Sequence, residues 1–327
     1  MPEKAEVVLE VRDLQTYFFN RRGVLKAVDG VTFSLRRGET LGLVGESGCG
    51  KSMTALSLLR LVPQPAARIV GGEILLDGEN ILNKNAQEMR LIRGRRIAMI
   101  LQDPQTSLNP VFTIGNQLTE AFALHQRQPV RLLRRLAEDA LRRVKVAAPG
   151  RRLDDFPHQM SGGMKQRVVG AIAISGAPQV LIADEPTTAL DVTIQLQYLK
   201  LLKELQTETQ MALLFITHDF GIVARMCDRV AVMYAGRIVE AGPVRQVFHH
   251  PAHPYTQALM ASVPTMDEKV ELLAAIDGQP PALDALPPGC RFAARCAYAE
   301  ARCLEQYPPA YTIEAEHTAS CWRLETA

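Results

Sequence analysis

The clearest chemistry in this chain lies in Gly45-Glu46-Ser47-Gly48-Cys49-Gly50-Lys51-Ser52. The spacing G-x-x-x-x-G-K-S suits a phosphate-binding loop. Its glycines let the backbone turn tightly enough for successive N–H groups to face one anion. Lys51 brings a mobile charge for β- and γ-phosphates, and Ser52 a hydroxyl for Mg²⁺. The apolar run Leu41 to Val44 predicts a strand before the loop, and Met53 to Leu59 predicts a helix after it. The anion would then also meet the positive end of a helix dipole.

Two other stretches fit the same chemistry. Val180-Leu181-Ile182-Ala183-Asp184-Glu185 reads as an apolar strand ending in two carboxylates. Asp184 would hold the Mg²⁺ hydration shell and Glu185 would polarise an attacking water. Met160-Ser161-Gly162-Gly163-Met164-Lys165-Gln166-Arg167 opens a helix, and its N–H groups, hydroxyl and glycines suit a second anion. Taken alone, Ser-Gly-Gly equally suits an N-cap and tight turn. Two anion sites for one nucleotide make sense if the second serves a neighbouring subunit.

The positioning elements can be read around these stretches. Val7 to Val11 and Val31 to Leu35 predict antiparallel-type strands, joined through a Gly23 loop and a Gly30 turn. Gly71 to Gly78 predicts a strand closed by an Asp-Gly turn, and Arg95 to Leu101 another strand, ending at Gln102. From Ile114 to Val146 the period becomes helical, with Arg131, Arg134, Arg135, Arg142 and Arg143 on a solvated face. Pro149-Gly150 is expected to end this insert. Strands and helices then alternate through Glu240, which implies a mainly parallel sheet covered on both faces. A hairpin turns at Ala235-Gly236, and the composition shifts to Pro, His and Cys after Gly242-Pro243.

Composition narrows the class. The 327 residues are 47% apolar and 22% charged, with a net charge of +2, which describes a globular protein with no call for a nucleic-acid partner. No window reaches 18 uninterrupted apolar residues, so nothing is expected to span a bilayer. Met1 to Glu6 lacks a basic region followed by an apolar one, so the expected location is the cytoplasm, where disulfides are disfavoured.

Taken together these motifs resemble the ATP-binding-cassette ATPases, a resemblance carried by Val7 to about Gly242. Gly45 to Ser52 is similar to their Walker A loop, with Gly45, Ser47, Gly48, Cys49, Gly50, Lys51 and Ser52 in the nucleotide set. Val180 to Glu185 resembles Walker B, and Ser161 to Met164 the signature sequence. Gln102 resembles the glutamine loop, Thr188-Ala189-Leu190-Asp191 the D-loop, and Thr217-His218-Asp219 the switch histidine.

The resemblance implies an α/β P-loop NTPase fold of the ABC type. Its mixed sheet core carries an antiparallel β subdomain and a helical insert at about 103–176, within an ATPase domain at 1–245. It also implies a head-to-tail pair of ATPase subunits with two ATP molecules between them. Ser161, Gly162 and Gly163 would serve the partner's ATP. His218 would hold the γ-phosphate in cis, while Ser52, Gln102 and Asp184 would hold Mg²⁺. Glu185, His218, Lys51 and Gln102 form the implied catalytic set, and Asp191 joins the nucleotide set. Of Tyr17, Phe18 and Phe19 the family pattern selects Phe18 to stack on adenine, then Tyr17; a plain core aromatic is the alternative. Two positions depart from the pattern. Cys49 stands where serine or alanine is usual and puts a thiol beside phosphate, and Met164 stands where glutamine is commonest.

The tail, 246–327, narrows the resemblance further. His249-His250-Pro251-Ala252-His253-Pro254-Tyr255-Thr256-Gln257-Ala258-Leu259, then Ser262-Val263-Pro264, resembles the C-terminal extension of oligopeptide, dipeptide and nickel importer ATPases. The stretch Asp103 to Pro110 resembles that subfamily too. His249, His250 and His253, separated by prolines, suit capping or loop roles better than a metal. Cys290, Cys296, Cys303 and Cys321 follow at C-x₅-C-x₆-C-x₁₇-C, in a segment with too few apolar residues for its own core. Four thiolates suit zinc or an iron–sulfur cluster, and the spacing matches neither common zinc nor ferredoxin patterns. The subfamily resemblance implies one [4Fe–4S] cluster; zinc or no metal are the alternatives. Cys227 reads as a buried free thiol.

The implied whole is a peripheral ATPase on the cytoplasmic face of the inner membrane, using MgATP. Its implied partners are a second ATPase subunit (often a different chain), two integral-membrane permeases and, indirectly, an extracytoplasmic peptide-binding protein. Nickel, glutathione or an antimicrobial peptide are alternative cargoes. A soluble cassette ATPase is the other class, but those carry two cassettes or a long coiled-coil insertion, and this chain has neither.

Overall fold

The computed structural model describes residues 6–21, 23–262 and 276–325. Met1 to Ala5 and Val263-Pro264 of the motifs above lie outside them. The described residues form two compact units, drawn from Met1–Val8, Leu35–Glu39 and Asn83–Ile216, and from Leu9–Ser34, Thr40–Leu82 and Thr217–Ala327.

In the first unit the strands Ile97–Ile100, Val180–Asp184 and Ala212–Thr217 run parallel, with Ile97 opposite Val180 and Val180 opposite Ala212. The last two read as unbroken apolar runs because both faces are covered, and every residue from Val180 to Asp184 is buried. The expected helical insert is two helices, Ile114–His125 and Val130–Arg143, parted at Pro129. Leu133, Ala137, Ala140 and Leu141 face inward. Arg134 pairs with Asp154, Arg142 with Glu138 and Arg143 with Glu208, so the arginine face is solvated and matched by carboxylates. Pro149-Gly150 does not end the insert. Pro149 starts a further helical turn, Pro149–Arg152, because proline at a first helical position loses no hydrogen bond.

In the second unit Thr40–Val44 lies parallel to Arg229–Tyr234, which turns through Ala235 and Gly236, both at positive φ, into antiparallel Arg237–Pro243. His317–Ala319 pairs with Arg237–Pro243, and Tyr311–Glu314 pairs with His317–Ala319. Four strands, Gly23–Arg36, Val7–Asn20, Ala67–Leu76 and Glu79–Asn80, make another sheet in that order. The expected Asp-Gly turn is present, with Asp77 at φ 49° and Gly78 at φ 79°. Val7–Asn20 runs well past Val11, because its register against Ala67–Leu76 resumes beyond a bulge near Arg12 to Thr16. No helix among the described residues is long and apolar enough to cross a membrane.

The tail is built into the second unit by burial and by one carboxylate. Tyr255 and Phe292 join Val44, Val230, Val232 and Tyr234 in a single apolar cluster. Each such side chain contributes about 1.5–3 kcal/mol through burial. Glu240, 1% exposed, accepts hydrogen bonds from the backbone N–H groups of Ala252 and His253 at 2.9 Å and lies 2.8 Å from His317 Nε2. His253 caps the helix Pro254–Ala261, its Nδ1 accepting from the Tyr255 N–H at 3.0 Å. Its capping role thus agrees with the sequence reading.

Burial drives the His253 pKa down to about 3, so the ring is neutral in the fold. The unfolded chain takes that proton near pH 6.5 and the folded chain only near 3. Stability from this group is therefore complete above about pH 6.5 and falls with pH below it, by at most about 1.4 kcal/mol per unit. His253→Asn keeps a capping oxygen and removes the titration. Between pH 7.5 and 5.5 the variant should lose about 1 kcal/mol less urea-unfolding free energy than the parent.

Candidate functional site

In the second unit the phosphate loop leaves the strand Thr40–Val44 and enters the helix Lys51–Leu58. The loop lies against neighbouring backbone so closely that side chains are excluded at two positions. A Cβ on Gly45, at φ 152°, would stand 2.1 Å from the Met233 carbonyl oxygen. One on Gly50, at φ 112°, would stand 2.2 Å from that of Ala27. The result is a tight turn of the kind that anion-binding loops use.

Lys51 is 6% exposed and curls back over the loop. Its ammonium donates to the carbonyls of Gly45 at 2.7 Å and Glu46 at 3.0 Å. Ser47, Gly48 and Ser52 are exposed, so the loop's outer rim and the Ser52 hydroxyl are open to a ligand. Cys49 is buried, and burial raises its pKa even though Lys51 is near. A protonated, covered thiol is a poor nucleophile. Its Sγ sits 3.8 Å from Lys51 Nζ, on the inner side of the loop.

Among the aromatic candidates, strand alternation separates the faces. Thr16 faces the loop's helix, its hydroxyl 2.8 Å from that of Ser57. Phe18, two residues on, shares that face. Tyr17 lies on the other face, donates to Asp29, and has its pKa pushed up to about 12 by burial and then by that carboxylate. Phe19 is exposed under the Arg68 guanidinium, 5.7 Å from the ring centre. His218 is exposed just after Thr217, and Asp219 caps the helix Phe220–Met226 by accepting from the Ile222 N–H at 3.1 Å.

The first unit brings Gln102 and Glu185 together. Gln102 Nε2 donates to Glu185 Oε2 at 2.8 Å, and the Thr188 hydroxyl donates to the same oxygen at 3.2 Å. Glu185 sits at φ 44°, a left-handed conformation that costs a non-glycine residue about 1–3 kcal/mol. Asp184 is buried at the end of its strand. Ser161 caps the helix Gly162–Ala173, its Oγ accepting from the Met164 N–H at 3.3 Å, while Ser161 and Gly162 remain exposed. Gly163 is held to glycine by Ile194, whose Cγ2 would lie 2.6 Å from a Cβ. Asp191 caps the helix Val192–Thr209.

Cys290, Cys296, Cys303 and Cys321 line one small cavity together with His253, Phe292 and Trp322. All four are free, half-buried thiols. Cys290 is pushed up to about 11 by burial and by the neighbouring thiols. No three His, Cys, Asp or Glu among the described residues form a group ready to hold a metal ion, so the expected centre is present as a donor set and not as a closed site. Sequence reasoning missed Asp29, Arg291, Arg295 and Tyr255. The arginines stood in plain view between Cys290 and Cys296, but nothing local says what they touch.

The family profile described as ABC transporter matches residues 28–188, and one described as the C-terminal region of oligopeptide/dipeptide transporters matches residues 239–303. A probable peptide ABC transporter ATP-binding protein of Sinorhizobium fredii is 50% identical, covering 98% of this chain and 96% of that protein. The dipeptide transport ATP-binding protein DppD of Bacillus subtilis is 47% identical, covering 97% and 95%. Among solved structures, CbiO1 of Clostridium perfringens, part of an ABC transporter complex, aligns with a TM-score of 0.64 at 28% identity. That alignment covers 75% of this chain and 92% of that one.

The loop geometry separates the glycines. Gly45→Ala and Gly50→Ala should each destabilise the chain by about 2 kcal/mol or more and abolish nucleotide binding, because backbone carbonyls cannot step aside. Gly48→Ala, whose Cβ would enter open space at φ 77°, should cost about 1 kcal/mol. Urea midpoints alongside a nucleotide titration measure both effects.

Proposed function

This chain belongs to the ATP-binding-cassette transporter ATPases, and from that premise we propose that it hydrolyses ATP to energise import of di- and oligopeptides across a membrane. The tail carries the peptide reading: residues 239–303 match the oligopeptide/dipeptide transporter region, and relatives named for peptide transport align along nearly the whole chain.

The nucleotide chemistry follows from the side chains described. An incoming triphosphate draws the Lys51 ammonium off the Gly45 and Glu46 carbonyls and onto its own β- and γ-oxygens. The N–H groups at the start of the Lys51–Leu58 helix take the remaining oxygens. Ser52, Gln102 and Asp184 would hold magnesium, which when bound neutralises charge on the β- and γ-phosphates. Glu185 orients a water and accepts its proton as the water oxygen bonds to γ-phosphorus and the bond to the bridging oxygen breaks. Gln102 and Thr188 both bind Oε2, which fixes the plane of that carboxylate before substrate arrives. His218 would contact the γ-phosphate, and Phe18 would stack on adenine.

The helix start at Ser161 to Gly163, exposed at Ser161 and Gly162, supports a role toward ATP held by a second ATPase subunit. Two permease subunits and an extracytoplasmic peptide-binding protein complete the proposed assembly, with this chain peripheral on the cytoplasmic face of the membrane. For the tail, an all-thiol donor set around one cavity supports a [4Fe–4S] cluster held by Cys290, Cys296, Cys303 and Cys321, with zinc as the other metal such a set can take. Bound, either metal would replace a missing core by cross-linking the segment.

Glu185→Gln should reduce ATP turnover in the assembled transporter at least about 100-fold while leaving MgATP binding within a factor of about two. Undiminished turnover in that variant would remove Glu185 from the mechanism. Protein purified without oxygen should be brown and contain about four irons per chain, and Cys303→Ser should lose most of that iron. Colourless protein with one zinc per chain would decide against the cluster.

A further inference from the structure

The second residue of the phosphate loop is held by the tail. Tyr255, fully buried, accepts a hydrogen bond from the Glu46 backbone N–H at 2.9 Å. Arg295, with its side chain 5% exposed, grips the Glu46 carboxylate with both guanidinium ends, at 2.8 and 3.0 Å. The remaining N–H groups of Arg295 reach the Tyr234 hydroxyl at 3.2 Å and the carbonyls of Ile276 at 3.2 Å and Asp277 at 3.0 Å. Every donor of this guanidinium is therefore used, and its orientation is fixed from all sides.

A second arginine of the same short segment holds the loop's far end through one intermediate. Arg291 donates to the Ala235 carbonyl and to Asp29. The next residue, Gly236, donates its N–H to the Cys49 carbonyl at 2.8 Å. Arg291 follows Cys290 and Arg295 precedes Cys296, so the two arginines lie just inside the segment these cysteines bound. Between them Phe292 packs on the rings of Tyr234 and Tyr255, at 5.4 Å from each.

We propose that the Cys290–Cys296 segment is a strut for the phosphate loop, in which Arg295, together with Tyr255 of the helix Pro254–Ala261, is a positioning residue that holds Glu46 and so sets the loop's affinity for nucleotide. The idea rests on the ATP-binding role above. An isolated surface ion pair would do little, but a bidentate, fully hydrogen-bonded and largely buried arginine imposes one geometry on its partner. The strut also gives the cysteine segment an influence on nucleotide binding: whatever orders Cys290 to Cys296 orders the residue two places into the loop.

The test is a double-mutant cycle read by MgATP dissociation constants of the full chain, with Arg295→Met, Glu46→Ala and the pair, each at a temperature where circular dichroism reports it folded. Each single variant should weaken MgATP binding about tenfold, and the double variant should be no weaker than the worse single one. A purely structural pair would shift unfolding midpoints and leave the affinity of the folded chain unchanged; that result overturns the strut. If Arg295→Met does not fold, Glu46→Ala, at a partly exposed side chain, decides alone, and unchanged affinity there overturns the proposal. Independent, additive losses also overturn it. A parent chain that binds no MgATP would overturn the ATP-binding role itself, an outcome visible before any variant is made.

Discussion

The closeness of the loop to the Met233 and Ala27 carbonyls governs what its surroundings can be. With about 2 Å between a hypothetical Cβ and those oxygens, Gly45 and Gly50 admit no substitute, and the loop takes its shape from the strand end and turn beside it. That neighbouring strand, Arg229–Tyr234, must itself stay fixed. It does so because Tyr234 is packed by Tyr255 and Phe292 from the tail, and because the Ala235 carbonyl is taken by Arg291. A loop that touches phosphate thus depends on residues more than 200 positions later.

The carboxylate proposed to activate water is fixed in a different way. Glu185 has a left-handed backbone, its N–H bonded to the Ile216 carbonyl at 2.9 Å, and a side chain bound by Gln102 and Thr188. Unfavourable torsion is tolerated where surrounding bonds over-determine it, and such positions concentrate where geometry matters more than stability. Gly163 belongs to the same economy of space, since Ile194 leaves no room for a larger residue at the signature helix.

Much of this was legible in the residues alone. Glycine spacing, a Gly-Lys-Ser ending and flanking apolar runs specify the phosphate loop because the local backbone requires them. The strand ending at Asp184 could be read from its apolar run, and its two terminal carboxylates pointed to a site only through their pairing with the phosphate loop. The cap at His253 follows from short-range rules, and the same rules account for the caps found at Asp191 and Asp219. The clamp on Glu46 was invisible for a physical reason: its partner lies 249 residues away, and no periodicity encodes which of many arginines a carboxylate will meet. The covering of the Cys49 thiol was hidden for the same reason, since burial is decided by the fold and not by the motif. Helix limits drifted where proline could serve as a start as well as a stop, as at Pro149.

Lys51 rests its charge on the loop's own backbone. Its ammonium donates to two carbonyls at 2.7 and 3.0 Å, so those carbonyls compete with an anion for it. Binding free energy is then a difference between two satisfied states. A triphosphate offers several charges at once. The arrangement therefore gives the lysine somewhere to return to when the product departs.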